Sequence, residues 1–473
     1  RQVETASYFP GISAQLKGEK MEKEKINKDQ KGVVIVGGSA AGIVAAITAR
    51  KFYKDKKITL IRKEETVLIP CGIPYIFGTL KSVKENLISD AIIQKNDIEL
   101  IIEEVKEVNP SEKEVITSEN KNIPYEKLVL ATGSNPIIPP IPGIDLPNVF
   151  AIRKDADLME KLSFELEKSK KVAIIGGGFI GVEFADECNK RGGREVTIVE
   201  LLPHCLSLAL DDEFCEEAED KLSGRGIKVL TGKKVTAIEG NGKAEYLKLD
   251  NGEKIKVDLV ILGIGSSPNT EIARKIGLKI GETRAIWVDK YMRTSDENIF
   301  ACGDCAEKVS FFTQKSSGLR LASIASFEAR IAGANLYEIK RENIGVVGVF
   351  ATALGAWGVG AAGLIEKGAK NGGYEVVIGR ASAPDKHPGS IPGSMEMKMK
   401  LIFSRDSNII LGGEVSGGST AGEVANIIAT MIQNKMKAEE IATFQMGTHP
   451  VLTASPIAYQ LANAAEYALA GMR

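Results

Sequence analysis

Apolar and polar positions along the chain predict two units of the same kind, each a buried strand followed by a glycine-rich turn and a helix. The first unit begins with the β-branched run at 33–36, which is typical of a parallel strand buried on both faces. The turn after it follows the pattern G-x-S-x-x-G and carries Gly37, Ser39, Ala40 and Gly42. Because such a turn lets backbone N–H groups at a helix N-terminus approach a pyrophosphate, we expect these residues to bind a dinucleotide.

The second unit repeats this order with a complete G-x-G-x-x-G pattern after a predicted strand at 172–175. Its turn comprises Gly176, Gly178, Phe179, Ile180 and Gly181. The next predicted strand, 196–199, is followed by Glu200, nineteen residues after the last of these glycines. A carboxylate there accepts both ribose hydroxyls of an adenosine and repels a 2′-phosphate, which favours NADH over NADPH. The alternative is an ordinary turn beside a surface glutamate.

The first unit has no acid at the corresponding place, because its second strand at 58–61 is followed by Arg62 and Lys63. We expect these two residues to hold the nucleotide through phosphate or stacking contacts, and the alternative is that both are simply solvated. Two dinucleotide turns about 140 residues apart indicate two dinucleotides. The economical pair is FAD with NAD(P)H.

One stretch, 344–365, carries no charge over 22 residues and so imitates a membrane span. It also contains six glycines, each of which is unfavourable in a helix by about 1 kcal/mol relative to alanine. We therefore predict two short buried strands joined by a turn, and no association with a membrane.

Composition limits the remaining possibilities. The 473 residues correspond to about three domains at roughly 150 residues each. With 61 Lys and Arg against 62 Asp and Glu, a general nucleic-acid binder is not expected. Six cysteines are too sparse for a disulfide scaffold, so we expect a reducing, cytoplasmic setting. Residues 1–30 are charged and aperiodic, and we expect a frayed leader outside the fold.

Cys71 stands in the segment Pro-Cys-Gly-Ile-Pro-Tyr, 34 residues after Gly37. Pro74 suits the first turn of a helix, and a thiol at a helix N-terminus has a lowered pKa. Cys71 is thus our candidate redox centre, and a buried inert thiol is the alternative. Cys302 and Cys305 form a C-x-x-C pair without the second pair that a structural zinc site needs, so we expect no metal.

Two further segments complete a pattern: a predicted strand that ends in Ala131-Thr132-Gly133, and another that leads into Gly303-Asp304. With the two turns and the Gly-x-Gly-x-x-Pro segment that includes Gly265, they resemble the pyridine nucleotide–disulfide oxidoreductase superfamily of two-dinucleotide flavoproteins. The resemblance runs from about residue 31 to the C-terminus. It implies that 131–133 and Gly265 lie where the chain passes between the FAD and NAD domains, and that Asp304 receives the flavin ribityl hydroxyls.

The resemblance also implies an α/β fold of two Rossmann-like domains, with the NAD domain inserted in the FAD domain, and a C-terminal α/β dimerisation domain. We expect the FAD domain at 31–150 and 285–340, the NAD domain at 151–284 and the interface domain at 341–473. The assembly implied is a homodimer or a dimer of dimers.

Because no second cysteine lies within a hundred residues of Cys71, the chain resembles the single-cysteine branch: coenzyme A-disulfide reductases, NADH oxidases and NADH peroxidases. The peroxidase-type histidine is absent, since Ala40 occupies its place. His449 resembles the C-terminal acid–base histidine of dithiol-type relatives, and a structural helix-capping role is the alternative. The loops at 387–392 and 448–450 lack the tyrosines usual in coenzyme A-disulfide reductases, which puts that substrate in doubt. Arg50 is a weak candidate for a substrate phosphate.

These features together predict an FAD-dependent NAD(P)H oxidoreductase that reduces a low-molecular-weight disulfide, persulfide or polysulfide through Cys71. One alternative is an NADH oxidase that reduces oxygen at the flavin. The other is an electron-transfer flavoprotein that serves a protein partner.

Overall fold

The computed structural model describes residues 31–472, so the expected leader at 1–30 lies outside the described residues. The first part of the chain forms the following elements in order: β1 (Gly32–Val36), α1 (Ala40–Phe52), β2 (Ile58–Arg62), β3 (Val67–Leu68), β4 (Leu87–Ile88), α2 (Ala91–Lys95), β5 (Glu99–Ile102), β6 (Val105–Asn109), β7 (Glu114–Thr117), β8 (Asn122–Leu130) and β9 (Ser134–Pro136).

The second domain follows with β10 (Val149–Ala151), α3 (Ala156–Lys168), β11 (Lys171–Ile175), α4 (Phe179–Lys190), β12 (Glu195–Val199), α5 (Asp212–Gly224), β13 (Lys228–Leu230), β14 (Val235–Glu239), β15 (Tyr246–Leu249), β16 (Lys254–Lys256), β17 (Leu259–Leu262) and β18 (Ser266–Pro268). The chain then returns to the first domain through α6 (Glu271–Lys275), β19 (Ile299–Ala301), β20 (Lys308–Val309), β21 (Ser316–Ser317) and α7 (Ala322–Ala334).

The C-terminal domain contains β22 (Val349–Leu354), β23 (Trp357–Gly363), α8 (Glu366–Asn371), β24 (Val376–Pro384), β25 (Glu396–Ser404), β26 (Ile410–Ser416), α9 (Ala421–Gln433), α10 (Ala438–Ala442) and α11 (Gln460–Gly471). Its sheet is antiparallel throughout, in the order β22-β23-β26-β25-β24.

The first sheet has the order β5-β2-β1-β8-β7-β6, and β19 also pairs with β8. Strands β1, β2, β5 and β19 run parallel to their neighbours, and β1, β2 and β19 are buried along their whole length, as is typical of parallel strands covered on both faces. Helices α1 and α7 cover this sheet and pack closely, because Gly333 of α7 approaches the backbone carbonyl of Ala45 in α1. The carboxyl ends of β1 and β8 thereby meet at one edge of the sheet.

The second sheet is parallel, in the order β10-β17-β11-β12-β13, with the small antiparallel sheet β14-β15-β16 beside it. Two details differ from the predicted domain boundaries. Strand β10 begins at Val149, which pairs with Val260, so the second domain starts slightly before residue 151. Ala273 and Leu278 pack in the core of the first domain, so the return to it occurs before residue 285.

The uncharged segment at 344–365 forms the antiparallel hairpin β22–β23, as predicted, with Leu354 paired to Trp357 across its turn. Within residues 31–472, no helix is both long enough and apolar enough to cross a lipid bilayer.

A cluster of charged side chains joins the second domain to the C-terminal sheet. Lys400 is only 3% exposed, and its Nζ lies 2.8 Å from Asp211, 2.9 Å from Glu213 and 2.9 Å from Glu366. Glu414 lies beside it and accepts a hydrogen bond of 2.7 Å from the Asp211 backbone N–H. Burial, reinforced by the Asp211 carboxylate, raises the pKa of Glu414 to about 9.

This cluster generates a prediction about stability and pH. The folded protein holds the Glu414 proton up to about pH 9, whereas the unfolded chain releases it near the ordinary value of 4.5. Folding therefore takes up a proton between these values, and this contribution to stability falls as pH rises through the window. We expect Glu414→Gln to raise the Tm at pH 8.5 by roughly 2 °C for each kcal/mol recovered, and to flatten the dependence of Tm on pH.

Scanning calorimetry across the window measures this effect, and the exposed Glu112 provides a matched control in Glu112→Gln. A pH dependence of Tm that is the same in wild type and Glu414→Gln would contradict the prediction.

Candidate functional site

The first glycine-rich turn lies between β1 and α1, as predicted, and is packed against the crossing at 131–133. A Cβ atom on Gly42 would overlap the Gly37 carbonyl oxygen, and one on Gly37 would overlap the Ala131 carbonyl. The Ala131 N–H donates to the Val36 carbonyl over 2.8 Å. Ser39 precedes the helix in extended backbone, with no side-chain capping bond among the described residues. This narrow cradle of backbone at a helix N-terminus fits a dinucleotide pyrophosphate.

Arg62 does not occupy the place that the sequence suggested. Its side chain is 1% exposed, and its guanidinium donates to both Asp90 carboxylate oxygens at 2.7 and 2.8 Å. The remaining N–H groups donate to the carbonyls of Glu64 and Glu65, each over 2.8 Å. The aliphatic part of Arg62 packs against Gly38. Arg62 therefore supports the turn from behind, and a phosphate contact conflicts with this arrangement, whereas Lys63 is exposed and its role stays a prediction.

Arg50 is also held within the protein. Its guanidinium donates to the carbonyls of Asp97 at 2.7 Å, Lys56 at 2.8 Å and Asn96 at 3.1 Å. These bonds tie the end of α1 to the loops before β2 and β5. Because the donors are used on carbonyl groups, the expectation that Arg50 binds a substrate phosphate does not fit the structure.

The second turn opens α4, and Glu200 lies directly beside it. One carboxylate oxygen accepts a hydrogen bond from the Gly177 N–H, and the other accepts from the Leu202 N–H over 2.7 Å. A Cβ atom on Gly178 would meet no atom within 4 Å, so the space in front of the turn is open. The carboxylate thus stands at the edge of an open turn, which is where a Rossmann domain holds an adenosine ribose.

Phe179 and Ile180 follow this turn on the first residues of α4. The Phe179 ring stacks on Phe350 of β22, with centroids 5.4 Å apart and planes 6° apart, while Ile180 is 47% exposed. The stack connects the second turn with the C-terminal domain.

The two crossings between domains are joined to each other. Strands β9 and β18 pair, and Thr132 Oγ1 donates to the Asn269 carbonyl over 2.7 Å. The Asn269 side chain returns a bond of 3.0 Å to the Thr132 carbonyl. Gly265 lies beside them and accepts from the Ile137 N–H over 3.0 Å. The segments at 132–137 and 265–269 therefore form one hydrogen-bonded junction between the first and second domains.

Cys71 lies in a short 3₁₀ turn, Pro70–Gly72, and it is exposed; the charges of Glu183, Lys154 and Asp304 act on its thiol. The turn is held by Asn86, which donates to the Ile69 carbonyl over 3.0 Å and contacts Gly72 closely. The expected lowering of the Cys71 pKa is wrong for this structure. Burial and the Glu183 carboxylate raise the pKa of the thiol, Lys154 opposes them, and the longer helix that would have stabilised a thiolate is absent at this turn within the described chain.

Glu183 and Lys154 are functional candidates to which the sequence assigned no role. Glu183 lies on α4 and accepts a hydrogen bond of 3.0 Å from Thr352 of the C-terminal domain. Burial raises the pKa of Glu183 to about 7. Burial and the charge of Glu183 also raise the pKa of Tyr75 to about 12. The signal available in the sequence was a glutamate two residues after the last glycine of the turn, on a helix whose charge acts on Cys71.

Asp304 faces the same junction from the first domain. Its carboxylate accepts hydrogen bonds from Ser134 over 2.7 Å and from Lys154 over 3.2 Å. Burial opposes ionisation, but Lys154 and Ser134 outweigh it and lower the pKa of Asp304. Asp304 is therefore a carboxylate at neutral pH, which suits an acceptor for the hydroxyl groups of a flavin side chain.

The sequence also singled out the C-x-x-C pair and His449. Cys302 and Cys305 are fully buried, and Cys305 donates to the Leu130 carbonyl. Among residues 31–472, no group of His, Cys, Asp and Glu side chains could hold a metal ion. His449 lies on an exposed loop, where its backbone N–H donates to Thr453 over 3.0 Å and its Nδ1 accepts from the Val451 N–H. An exposed imidazole on this loop is available to a second copy of the chain.

This fold and its two glycine-rich turns define a flavoprotein that binds two dinucleotides. Residues 31–329 match the model of the pyridine nucleotide-disulphide oxidoreductases, and residues 349–457 match the dimerisation domain of the same enzymes. The chain belongs to this family, whose members are oxidoreductases that use FAD and NAD(P)H.

Two relatives and one solved structure show which members of the family this chain resembles. An NADH oxidase of Methanocaldococcus jannaschii is 34% identical over 446 residues, covering 92% of this chain and 98% of the relative. A CoA-dependent NAD(P)H sulfur oxidoreductase of Pyrococcus furiosus is 34% identical over 396 residues, covering 82% and 88%. The solved NAD-dependent persulfide reductase from A. fulgidus superposes with a TM-score of 0.86 at 30% identity, covering 93% of this chain and 83% of that structure.

The charges around Cys71 generate a prediction with two opposite arms. Removing the Glu183 carboxylate favours the thiolate, whereas removing the Lys154 ammonium disfavours it. We expect Glu183→Gln to accelerate alkylation of Cys71 by iodoacetamide at pH 8, and Lys154→Met to slow it, each by roughly two- to fivefold. Mass spectrometry of the Cys71 peptide from the holoenzyme measures the rates. A shift of both variants in the same direction would refute this account of the thiol.

Proposed function

We propose that the protein is an NAD(P)H-dependent FAD oxidoreductase that reduces a small sulfur compound, a disulfide, persulfide or polysulfide, at Cys71. The observation that carries the proposal is the placement of one exposed cysteine at the junction where Asp304, Lys154 and Glu183 converge. The names of the Pyrococcus furiosus and A. fulgidus relatives support a sulfur substrate.

The positions of the two glycine-rich turns and of the crossings support an assignment of the cofactor-binding residues. We assign the turn at 37–42, the crossing at 131–133 and Asp304 to FAD, and the turn at 176–181 with Glu200 and Gly265 to the nicotinamide dinucleotide. FAD, when bound, supplies the transfer of two electrons from NAD(P)H to the sulfur centre. The protein itself places the nucleotides and the thiol around one junction.

Cys71 performs the sulfur chemistry in this proposal. Its thiolate attacks a sulfur atom of the substrate, and the bond to the leaving sulfur breaks as the Cys71–sulfur bond forms. The leaving sulfur takes the electron pair of the broken bond and needs a proton. Two electrons, originating in NAD(P)H, would then cleave the Cys71–sulfur bond. This returns the Cys71 thiolate and releases the bound sulfur fragment as a second thiolate or hydrosulfide, which takes up a proton.

Glu183 and His449 are the proposed sources of the proton. Glu183, with a pKa of about 7, holds a proton in a fraction of molecules at neutral pH and faces Cys71 from α4. His449 lies on the exposed C-terminal loop, and we propose that it acts on the Cys71 of a second copy in a homodimer or a dimer of dimers. The matched dimerisation domain supports this assembly.

Six free cysteines agree with the reducing cytoplasm that we propose as the location of the protein.

An NADH oxidase is the second candidate function, which the Methanocaldococcus jannaschii relative supports. The raised pKa of Cys71 leaves less thiolate at neutral pH, and this is the observation that supports an acceptor other than a sulfur compound. The two functions differ in whether Cys71 is required.

Replacement of Cys71 separates them. We expect Cys71→Ser to lose roughly a hundredfold or more of its reduction rate with polysulfide and coenzyme A disulfide, because serine cannot form the sulfur intermediate. Bleaching of the flavin by NADH should persist, since Cys71 does not bind the nucleotide. Anaerobic stopped-flow reduction, followed by reoxidation with each acceptor and with oxygen, measures both steps.

The control is Cys215→Ala, whose thiol is buried in the core of the second domain and should leave all rates near wild type. Unchanged sulfur reduction in Cys71→Ser would exclude the proposed mechanism. Oxygen as the fastest acceptor of the wild-type protein would favour the oxidase.

Nucleotide preference provides a further prediction. The Glu200 carboxylate beside the second turn would repel a 2′-phosphate, so we propose a preference for NADH. Glu200→Gln removes this charge and keeps one hydrogen-bond acceptor for the turn. We expect the ratio of kcat/KM for NADPH to that for NADH to rise at least ~tenfold. Steady-state kinetics with both nucleotides measure the ratio, and an unchanged ratio would count against the role assigned to Glu200.

A further inference from the structure

A lysine and a glutamate are buried as an ion pair directly behind the Gly303–Asp304 turn. Lys308 of β20 is 3% exposed and Glu328 of α7 is 0% exposed, with Nζ and Oε2 3.0 Å apart. A buried ion pair of this kind is weak evidence for stability, because desolvation of the two charges offsets their attraction. The contacts of the pair with the surrounding backbone indicate another role.

Both charged groups are directed at the backbone of one turn. Glu328 Oε2 accepts a hydrogen bond of 2.9 Å from the Gly303 N–H. Lys308 Nζ donates to the Gly303 carbonyl and, over 2.8 Å, to the Ala306 carbonyl. The pair thus holds donor and acceptor groups of the segment 303–306 at the same time.

The turn needs such support because its backbone is unusual and tightly enclosed. Gly303 has a φ of +78°, a backbone conformation that residues other than glycine rarely adopt. A Cβ atom on Gly303 would lie 2.7 Å from the Cβ of Ala41, in the first turn of α1. The buried pair therefore holds the Gly303–Asp304 turn close to α1, the helix that follows the first glycine-rich turn.

Asp304 is the residue that this arrangement places. Its side chain leaves the clamped turn toward Ser134 and Lys154, at the junction that holds Cys71. The two groups also interact electrostatically, since the charge of Lys308 helps to lower the pKa of Asp304.

We propose that Lys308 and Glu328 are positioning residues for FAD, which fix the backbone of 303–306 so that the Asp304 carboxylate meets the flavin side chain. This inference rests on the proposed FAD site and extends it to two residues that do not line it. Glu328 Oε1 is a buried oxygen with no hydrogen-bond partner among the described residues, so the second oxygen alone carries the contact with the turn.

Retention of FAD by the purified holoenzyme tests the proposal. Serial dilution followed by flavin fluorescence gives the released fraction, and visible circular dichroism reports the environment of the bound flavin. We expect Glu328→Ala to release FAD at least ~tenfold more readily, because the Gly303 N–H loses its acceptor. Glu328→Gln keeps an acceptor for that N–H and should restore retention to within about threefold of wild type. Equal loss in both variants would contradict a positioning role.

Further variants keep the outcome interpretable. Glu414→Gln changes another buried carboxyl, in the cluster around Lys400, and should leave retention and the flavin spectrum unchanged. If Glu328→Ala does not fold, Lys308→Met provides the test, with an expected loss of about threefold or more and an altered spectrum. Wild-type retention and spectrum in a folded Glu328→Ala or Lys308→Met variant would overturn the inference.

Asp304→Ala separates failure of this inference from failure of the proposed FAD site. If Asp304→Ala retains FAD as wild type does, the site assignment itself is wrong. If Asp304→Ala releases FAD while the Glu328 and Lys308 variants do not, only the positioning role is wrong.

Discussion

Desolvation of charged groups where the three domains meet is the constraint on which the site depends. A buried carboxyl or thiol ionises only if a neighbour supplies a compensating charge or hydrogen bond. Asp304 has Lys154 and Ser134 and is ionised. Burial raises the pKa of Glu183 to about 7, because the hydrogen bond from the Thr352 hydroxyl compensates only part of the cost of burial. The same physical rule thus produces an acceptor and a proton donor within one junction.

The pKa of the Cys71 thiol is set by the same balance between burial and neighbouring charges. Its turn is too short to contribute a helix dipole, and the Glu183 carboxylate opposes formation of the thiolate. The lysine that favours the thiolate, Lys154, is shared with Asp304. The reactivity of Cys71 is therefore coupled to the residues that we assign to FAD. A bound flavin would act on a thiol whose pKa these residues already influence.

Buried ion pairs outside the junction serve the placement of backbone. The cluster around Lys400 holds the second domain to the C-terminal sheet, and the Lys308–Glu328 pair holds the turn that carries Asp304. In both, a carboxylate accepts a hydrogen bond from the backbone N–H of another segment: Asp211 from Glu366, and Glu328 from Gly303. The first cluster therefore connects two domains, whereas the second pair fixes a turn within the first domain.

The sequence by itself determined the class of fold, both glycine-rich turns, the hairpin at 344–365 and the candidate cysteine. These features depend on short-range patterns: β-branched runs, glycines where backbone must approach closely, and an uncharged segment too rich in glycine for a helix. Tertiary structure alone decided the partners of the charged residues. Arg62 and Arg50 stand beside the first unit in sequence, yet Asp90 and distant carbonyls take up their guanidinium groups. Glu183 and Lys154 acquire their roles only when segments more than a hundred residues apart pack together, because a pKa depends on which charges surround a group in space. Glu328 acquires its role when α7 packs against the turn 25 residues before it.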